Sequence, residues 1–363
     1  MRKPVDKWFL GIVLTLLFGG FFIFFSAALS LLARDGALFK SVVTNQAVGV
    51  CIGLFLMFVF SRIHYRFIKR YALPFFILSL ITTALVFVPE IGFSHGGASR
   101  WLSLGPFSFQ PSEILKLGFI LYFATWLAAM RERVYSFTFS ILPFLVLISL
   151  VGVLLLLQPD TGTFGLIFGS GIALLVASGA RWRDIFALGG VALGGLLALA
   201  YFKPYVKERL ITFFNPAHDP LGIGYQIQQS LIAIGSGGVL GRGFGESVQK
   251  FGFLPEPIAD SIFAVFAEEF GFIGGVVLVA LFMLFVFRGL SIAKHAPDYF
   301  SRLTVVGIVI LIGWQAFANI GAMLAILPLS GLPLPFVSHG GSALIVVLAG
   351  VGIVLNISRY SKT

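Results

Sequence analysis

The chain has 363 residues, of which 58% are hydrophobic and only 11% charged, and its mean hydropathy is +1.00. That composition excludes a soluble domain of this size and indicates a polytopic membrane protein. The net charge of +10 does not indicate a nucleic-acid partner, because the basic residues fall mainly in short connections between apolar runs, as in cytoplasmic loops.

A membrane span needs roughly 20 apolar residues, and ten runs qualify. They cover 8–32, 41–60, 71–88, 113–130, 138–158, 163–180, 185–202, 262–287, 303–327 and 343–358. The expected fold class is an all-α polytopic membrane protein with ten transmembrane helices, forming a single domain over 1–363. The first run follows Arg2, Lys3 and Lys7 and resembles a secretory signal. It is well beyond an h-region of about 7–15 residues, so it reads as a retained span. With the N-terminus inside, the inner segments carry 16 of the 25 Lys and Arg residues, which places both termini in the cytoplasm. Cys51 is the only cysteine, so no intrachain disulfide forms. The five histidines are scattered without ligand spacing, and no metal site is expected.

The first long outer connection runs from about 89 to 112. Trp101 beside Arg100 suits an interfacial anchor. Pro111-Ser112-Glu113 reads as a helix start with Ser112 as cap. Lys116 then either forms an i,i+3 pair with Glu113 or faces an anionic lipid headgroup within the membrane. Further on, Gln158-Pro159-Asp160-Thr161-Gly162-Thr163 breaks the apolar run as a tight turn, in which Asp160 can cap the next helix.

The second long connection, about 203–261, lies between spans seven and eight. It is rich in Gly, Gln and Pro, which suits an ordered loop on the membrane surface. Its glycines over 235–245 look like a phosphate cradle but match no nucleotide-binding register. Their N–H groups, with Arg242 and Lys250, could still bind a pyrophosphate. Asp260 stands just before an apolar helix, either as its N-cap or as a reactive carboxylate. Glu268 and Glu269 follow inside what should be lipid, where acids are costly and usually functional. A paired or protonated structural site is the other reading for those two.

Several of these stretches, in order along nearly the whole chain, resemble one family. They are Ser99-Arg100-Trp101-Leu102, Gly105-Pro106 through Glu113 and Lys116, Gln158-Pro159-Asp160, and Arg209 through Pro216. The pattern continues with Asp219 through Gly238, then Leu254-Pro255-Glu256 with Asp260, Glu268 and Glu269, and finally Leu332 through Ser342. The chain is similar to the SEDS family of FtsW, RodA and SpoVE. That resemblance implies a peptidoglycan glycosyltransferase in cell division or elongation. Such an enzyme polymerises lipid II into β-1,4 glycan strands and releases undecaprenyl pyrophosphate at the outer face of the bacterial cytoplasmic membrane. It also implies a class B penicillin-binding protein as partner, among other divisome or elongasome membrane proteins. The family's catalytic aspartate matches Asp260. Ile258-Ala259 stands where many members have His-Thr, and His339 where many have Tyr; both departures bear on substrate contacts.

The chemistry needs a base for the acceptor hydroxyl and cations for the leaving pyrophosphate. Asp260 is assigned as that base, and Arg100, Lys116, Arg209, Arg242 and Lys250 as substrate-binding cations. Glu113, Glu268 and Glu269 are expected to form an intramembrane polar cluster with Lys116. A divalent cation, Mg or Mn, could assist, although the sequence shows no dedicated site for one. The competing reading is a lipid II flippase, for which intramembrane charges would line a headgroup path. A pure scaffold would leave those buried charges unexplained.

Overall fold

The computed structural model describes residues 3–89, 91–95, 98–104 and 107–361. Gly96-Gly97 and the Gly105-Pro106 part of the family signature lie outside them, as do Arg2 and Lys362 of the charge count. The chain opens with α1 (Lys7–Leu32), whose cap Asp6 accepts from the Phe9 N–H at 2.8 Å. Asp35 caps α2 (Gly36–Arg62) in the same way. Then come α3 (Tyr65–Arg70) and α4 (Ala72–Ala84). The first long connection is a small antiparallel sheet of β1 (Gly92–His95), β2 (Ala98–Leu104) and β3 (Phe107–Phe109) in that order. Leu102 pairs with Gly92 on one side and Phe109 on the other.

The remaining spans are α5 (Pro111–Ala129), α6 (Phe137–Leu157), α7 (Thr161–Ser178) and α8 (Trp182–Phe202). The long connection holds α9 (Pro204–Phe214) and α10 (Ile223–Ser236), and α11 (Ile262–Lys294), α12 (Tyr299–Met323) and α13 (Gly341–Ser358) complete the fold. Among the described residues, nine helices are long and apolar enough to cross a membrane, and the third expected span falls on the shorter apolar helix Ala72–Phe87. The all-α expectation therefore holds for the helices and misses the small sheet. Ser112 is not the cap of α5. Gln110 takes that position, with Pro111 at the start of the helix, where its missing N–H leaves no bond unmade.

α12 is the centre of the bundle, packed against α5, α7 and α11, while α13 lies along α2. Small residues permit that second contact: a Cβ on Gly352 would sit 2.5 Å from the Met57 carbonyl oxygen. Without a hydrophobic drive between helices in lipid, such close backbone approach is a main source of association.

The break in α11 explains the glycine-rich loop. Gly271 has φ 64° and ψ −165°, so the helix is interrupted there. Residues 237–243 fill the gap. The Arg242 and Gly243 N–H groups donate to the Glu268 and Glu269 carbonyls at 3.0 Å. In return, the Phe272 and Ile273 N–H groups donate to the Gly238 and Val239 carbonyls at 2.9 and 3.2 Å. A membrane leaves no water for unpaired backbone, so a broken helix needs substitutes of this kind. The loop is thus a plug for a broken helix, with the amides of Arg242 and Gly243 already spent, and not the phosphate cradle that its glycines suggest.

Gly241 has φ +81°, and a Cβ there would lie 2.1 Å from the Glu269 carbonyl oxygen. Gly241→Ala is expected to destabilise the protein by about 2 kcal/mol or more, from overpacking and a left-handed backbone. Gly235→Ala, which meets nothing within 4 Å, should leave stability almost unchanged. Thermal unfolding of the detergent-solubilised variants compares the two.

Candidate functional site

Asp260 lies at the end of the loop that leads into α11. The helix cap is Ser261, which makes no side-chain cap bond, so the N-cap reading of Asp260 does not hold. Its position is fixed through its backbone. Asn319 on α12 donates to the Asp260 carbonyl at 2.8 Å and to the Leu332 carbonyl at 2.7 Å. Ser338 donates to the Ala259 carbonyl at 2.6 Å, and the His339 N–H donates to the Ile258 carbonyl at 2.8 Å. Glu256 adopts φ 48°, and its carbonyl accepts from the Ala259 and Ser261 N–H groups. Among the described residues the Asp260 carboxylate itself makes no hydrogen bond or ion pair. Gly331, with φ +67°, walls it closely enough that a Cβ would lie 3.5 Å from Asp260 Oδ2.

Two arginines approach that carboxylate without pairing with it. Arg100, on β2, donates to the Gln158 carbonyl at 3.2 Å and to the Pro159 carbonyl. Arg209, on α9, donates to Thr161 Oγ1 at 3.3 Å. Both are thereby tied to the turn 158–161. Asp160 serves as the cap of α7, accepting from the Thr163 N–H at 3.2 Å, while its second oxygen is buried without a partner among the described residues. Burial pushes the Asp260 carboxyl up to about 6, with the Glu256 charge adding to the rise and Arg100 and Arg209 opposing it. Burial, and then Arg100, push the Arg209 guanidinium down. A carboxylate poised near neutrality beside two mutually repelling cations is an arrangement that an anionic ligand would complete.

The other polar residues fall in separate places. Lys116 and Glu113 form an i,i+3 ion pair at 2.8 Å, with side chains 2% and 3% exposed. Lys116 also donates to Gln315 Oε1 at 2.9 Å, and Gln315 donates to the Pro333 carbonyl at 2.9 Å. Lys250, fully buried, pairs with Glu269 at 2.7 Å and donates to Ser26 and the Gly245 carbonyl. Glu268 accepts from Ser247 at 2.6 Å and from the Val248 and Gln249 N–H groups, with Arg242 3.6 Å away.

These contacts correct two expectations. Glu113, Glu268 and Glu269 do not make one cluster with Lys116, because the Glu113–Lys116 network and the Glu268 and Glu269 networks share no partner. Lys250 has no free donor for a pyrophosphate, and no contact joins Arg242 to Asp260. The sequence reading missed Gln315, Asn319, Ser338 and Gly331. Gln315 and Asn319 were legible as an i,i+4 polar pair on an apolar helix, which places both on one face.

The two family departures meet in space, since His339 binds the Ile258 carbonyl and its ring stacks on Phe24 at 5.8 Å.

The family model FtsW/RodA/SpoVE, described as cell cycle protein, matches residues 7–363. The chain is 38% identical over 318 residues to stage V sporulation protein E of Bacillus subtilis, covering 88% of this chain and 87% of that protein. It is 43% identical over 321 residues to the probable peptidoglycan glycosyltransferase FtsW of Geobacter sulfurreducens, covering 88% and 85%. Among solved structures, it matches a chain described under structural coordination of polymerization and crosslinking by a peptidoglycan synthase complex. That match has TM-score 0.80, 32% identity and 98% coverage of both chains. The rod shape determining protein RodA of Thermus thermophilus matches with TM-score 0.71 and 32% identity, covering 99% of this chain and 98% of that one.

Lys116→Met leaves Glu113 buried and unpaired, which should destabilise the protein by about 3 kcal/mol. Adding Glu113→Gln should recover part of that loss, whereas adding Glu268→Gln or Glu269→Gln should recover none. Unfolding midpoints of the single and double variants make the comparison.

Proposed function

Because the chain belongs to the FtsW/RodA/SpoVE family, we propose that Asp260 is the general base of its glycosyl transfer. The protein is a SEDS peptidoglycan polymerase of division or elongation and a multi-pass membrane protein. The substrate in this reading is lipid II, met at the outer face of the cytoplasmic membrane. Both termini are then cytoplasmic, and Ala72–Phe87 serves as the third of ten spans.

The acceptor's 4-hydroxyl attacks the donor's anomeric carbon. Its proton passes to the Asp260 carboxylate, the new C–O bond forms in line, and the bond to the pyrophosphate breaks with its electron pair. Attack from the opposite face converts the α-linkage to β. The leaving group is already a good one and needs neutralisation more than protonation, unlike that of a glycoside hydrolase. Arg100 and Arg209 supply the neutralising charge. The observation that carries this reading is the unbonded Asp260 carboxylate, held by its backbone beside two arginines.

Among the described residues no group of three His, Cys, Asp or Glu converges. The donors present therefore do not fit a dedicated metal cage. A Mg or Mn ion, if bound, would enter with the pyrophosphate and help to neutralise its charge. Lys116 and Lys250 act structurally here, and Arg242 supports Glu268. A flippase path would need charges free to follow a headgroup, and the intramembrane charges are instead saturated by one another. The partner in this reading is a class B penicillin-binding protein, since polymerisation without crosslinking gives loose strands. The likeness to a chain of a peptidoglycan synthase complex supports that pairing.

A base with its pKa near 6 is active when deprotonated. Glycan formation from lipid II, by purified protein with its partner's transpeptidase chemistry blocked, should fall about tenfold per pH unit below 6 and level off above it. A flat profile between pH 4.5 and 8 would contradict the assignment, and lipid II transport without glycan formation would favour the flippase.

A further inference from the structure

An apolar groove of about 700 Å³ runs between residues 80–84 of α4 and 145–154 of α6. Val146, Leu150 and Val153 are exposed along it, and Ser149 is the polar residue in its wall. Two cationic connections lead into these two helices. Lys69 and Arg70 end α3 ahead of α4, and Arg131 and Arg133 stand in the turn between α5 and α6. Lys69 Nζ lies 5.6 Å from the Phe300 ring centroid, and Arg131 Cζ lies 5.0 Å from that of Tyr299. The two connections therefore meet at the start of α12. Arg133 and Arg70 lie over the rings of Phe139 and Tyr71, at 5.3 and 6.0 Å. Tyr65 of α3 meets Tyr360 at 5.3 Å between centroids, so all of this is on the face that holds the C-terminus. The four cations are exposed, and among the described residues their side chains make no ion pair or hydrogen bond. Of the nearby acids, Glu132 pairs with none of them among the described residues, and Asp298 accepts from the Ser301 N–H at 2.8 Å.

Tyr71 and Tyr135, both exposed just ahead of α4 and α6, mark the level of the lipid headgroups. Leu80 and Leu145, at the near end of the groove, lie about 12 Å along their helices from Ala72 and Phe137. One leaflet of a hydrocarbon core of roughly 30 Å is deeper than that, so an acyl chain anchored at the connections reaches the groove. We propose that this sector binds one anionic phospholipid, with its phosphate at Lys69, Arg70, Arg131 and Arg133 and an acyl chain between α4 and α6. Charge selects the lipid. A zwitterionic headgroup carries its own ammonium toward four cations, whereas a phosphodiester of an uncharged alcohol brings only negative charge. The aromatic seats hold the cations in place beforehand, which lowers the cost of ordering them. Because Lys69 and Arg131 bear on Phe300 and Tyr299, the lipid braces the start of α12, the helix that carries Gln315 and Asn319. The site stands independently of the polymerase reading, and only its place in the cytoplasmic leaflet uses the orientation given there.

The test uses the purified full-length protein, delipidated in neutral detergent and titrated with phosphatidylglycerol or with phosphatidylcholine of identical chains. Native mass spectrometry counts the lipids bound. One phosphatidylglycerol should bind about 10-fold or more tightly than phosphatidylcholine. Lys69→Gln with Arg131→Gln should abolish that preference. Arg62→Gln with Lys294→Gln, which removes two exposed cations at the ends of α2 and α11 on the same face, should keep it. Ser149→Phe fills the groove and should weaken phosphatidylglycerol about 5-fold or more. Equal affinity for the two lipids, equal losses in the two double variants, or no effect of Ser149→Phe would overturn the proposal. Displacement of the lipid by inorganic phosphate alone would overturn it too, as would cross-linking of a Ser149→Cys variant to a second copy or another membrane protein in place of lipid. Should Lys69→Gln with Arg131→Gln misfold, the comparison of the two lipids on the unmodified protein and on Ser149→Phe decides the matter.

Discussion

Asp260 is positioned by hydrogen bonds to its main chain, and among the described residues its carboxylate is left free; the rest of the site depends on that division. A carboxylate tied by a salt bridge would be a weak base, whereas one left loose would wander from its substrate. Asn319 resolves the conflict by gripping the Asp260 and Leu332 carbonyls together. Ser338 and the His339 amide hold the two preceding carbonyls. The carboxyl group can then keep a raised affinity for protons while its place is set by bonds that do not titrate.

The other buried charges obey the opposite rule. Lys116 and Lys250 each have a carboxylate partner and further hydrogen bonds, as desolvated ions require. Lys116 is nonetheless linked to the segment beside Asp260. Through Gln315 it reaches the Pro333 carbonyl, next to the Leu332 carbonyl held by Asn319. Gln315 and Asn319 sit one turn apart on α12, the most deeply packed span with α13. One helix face therefore joins the intramembrane ion pair to the segment that walls Asp260. Glu268 and Glu269 serve the fold differently. Their side chains are saturated by 247–250 and Ser26, and their carbonyls are saturated by the glycine plug.

The spans were legible because each is a long apolar run whose length matches the membrane, and Asp260 stood out as a lone acid at a loop–helix junction. The tertiary partners of the charges were not legible. Their shared place inside the membrane suggested that Lys116 and the acids of α11 form one cluster, but helix register gave Lys116 to Glu113, the i,i+3 partner that the sequence also offered. The glycines of 235–245 carried a phosphate-binding look because close backbone approach and anion binding both call for glycine. Only the break at Gly271, which no local pattern announces, shows which need they meet. Asn319 and Gln315 show in the sequence as an i,i+4 polar pair, but the role of neutral amides in a span emerges only with their carbonyl acceptors.

The central claim is that the free carboxylate of Asp260 takes the proton, and Asp260→Asn tests it most directly. Asparagine keeps the size and the backbone bonds, and Ser261 remains the helix cap, so the variant should express and unfold like the unmodified protein. Glycan formation from lipid II by the purified protein, with the partner's crosslinking chemistry blocked, should fall by about 10²–10⁴. Undiminished glycan formation by a folded Asn variant would contradict the account.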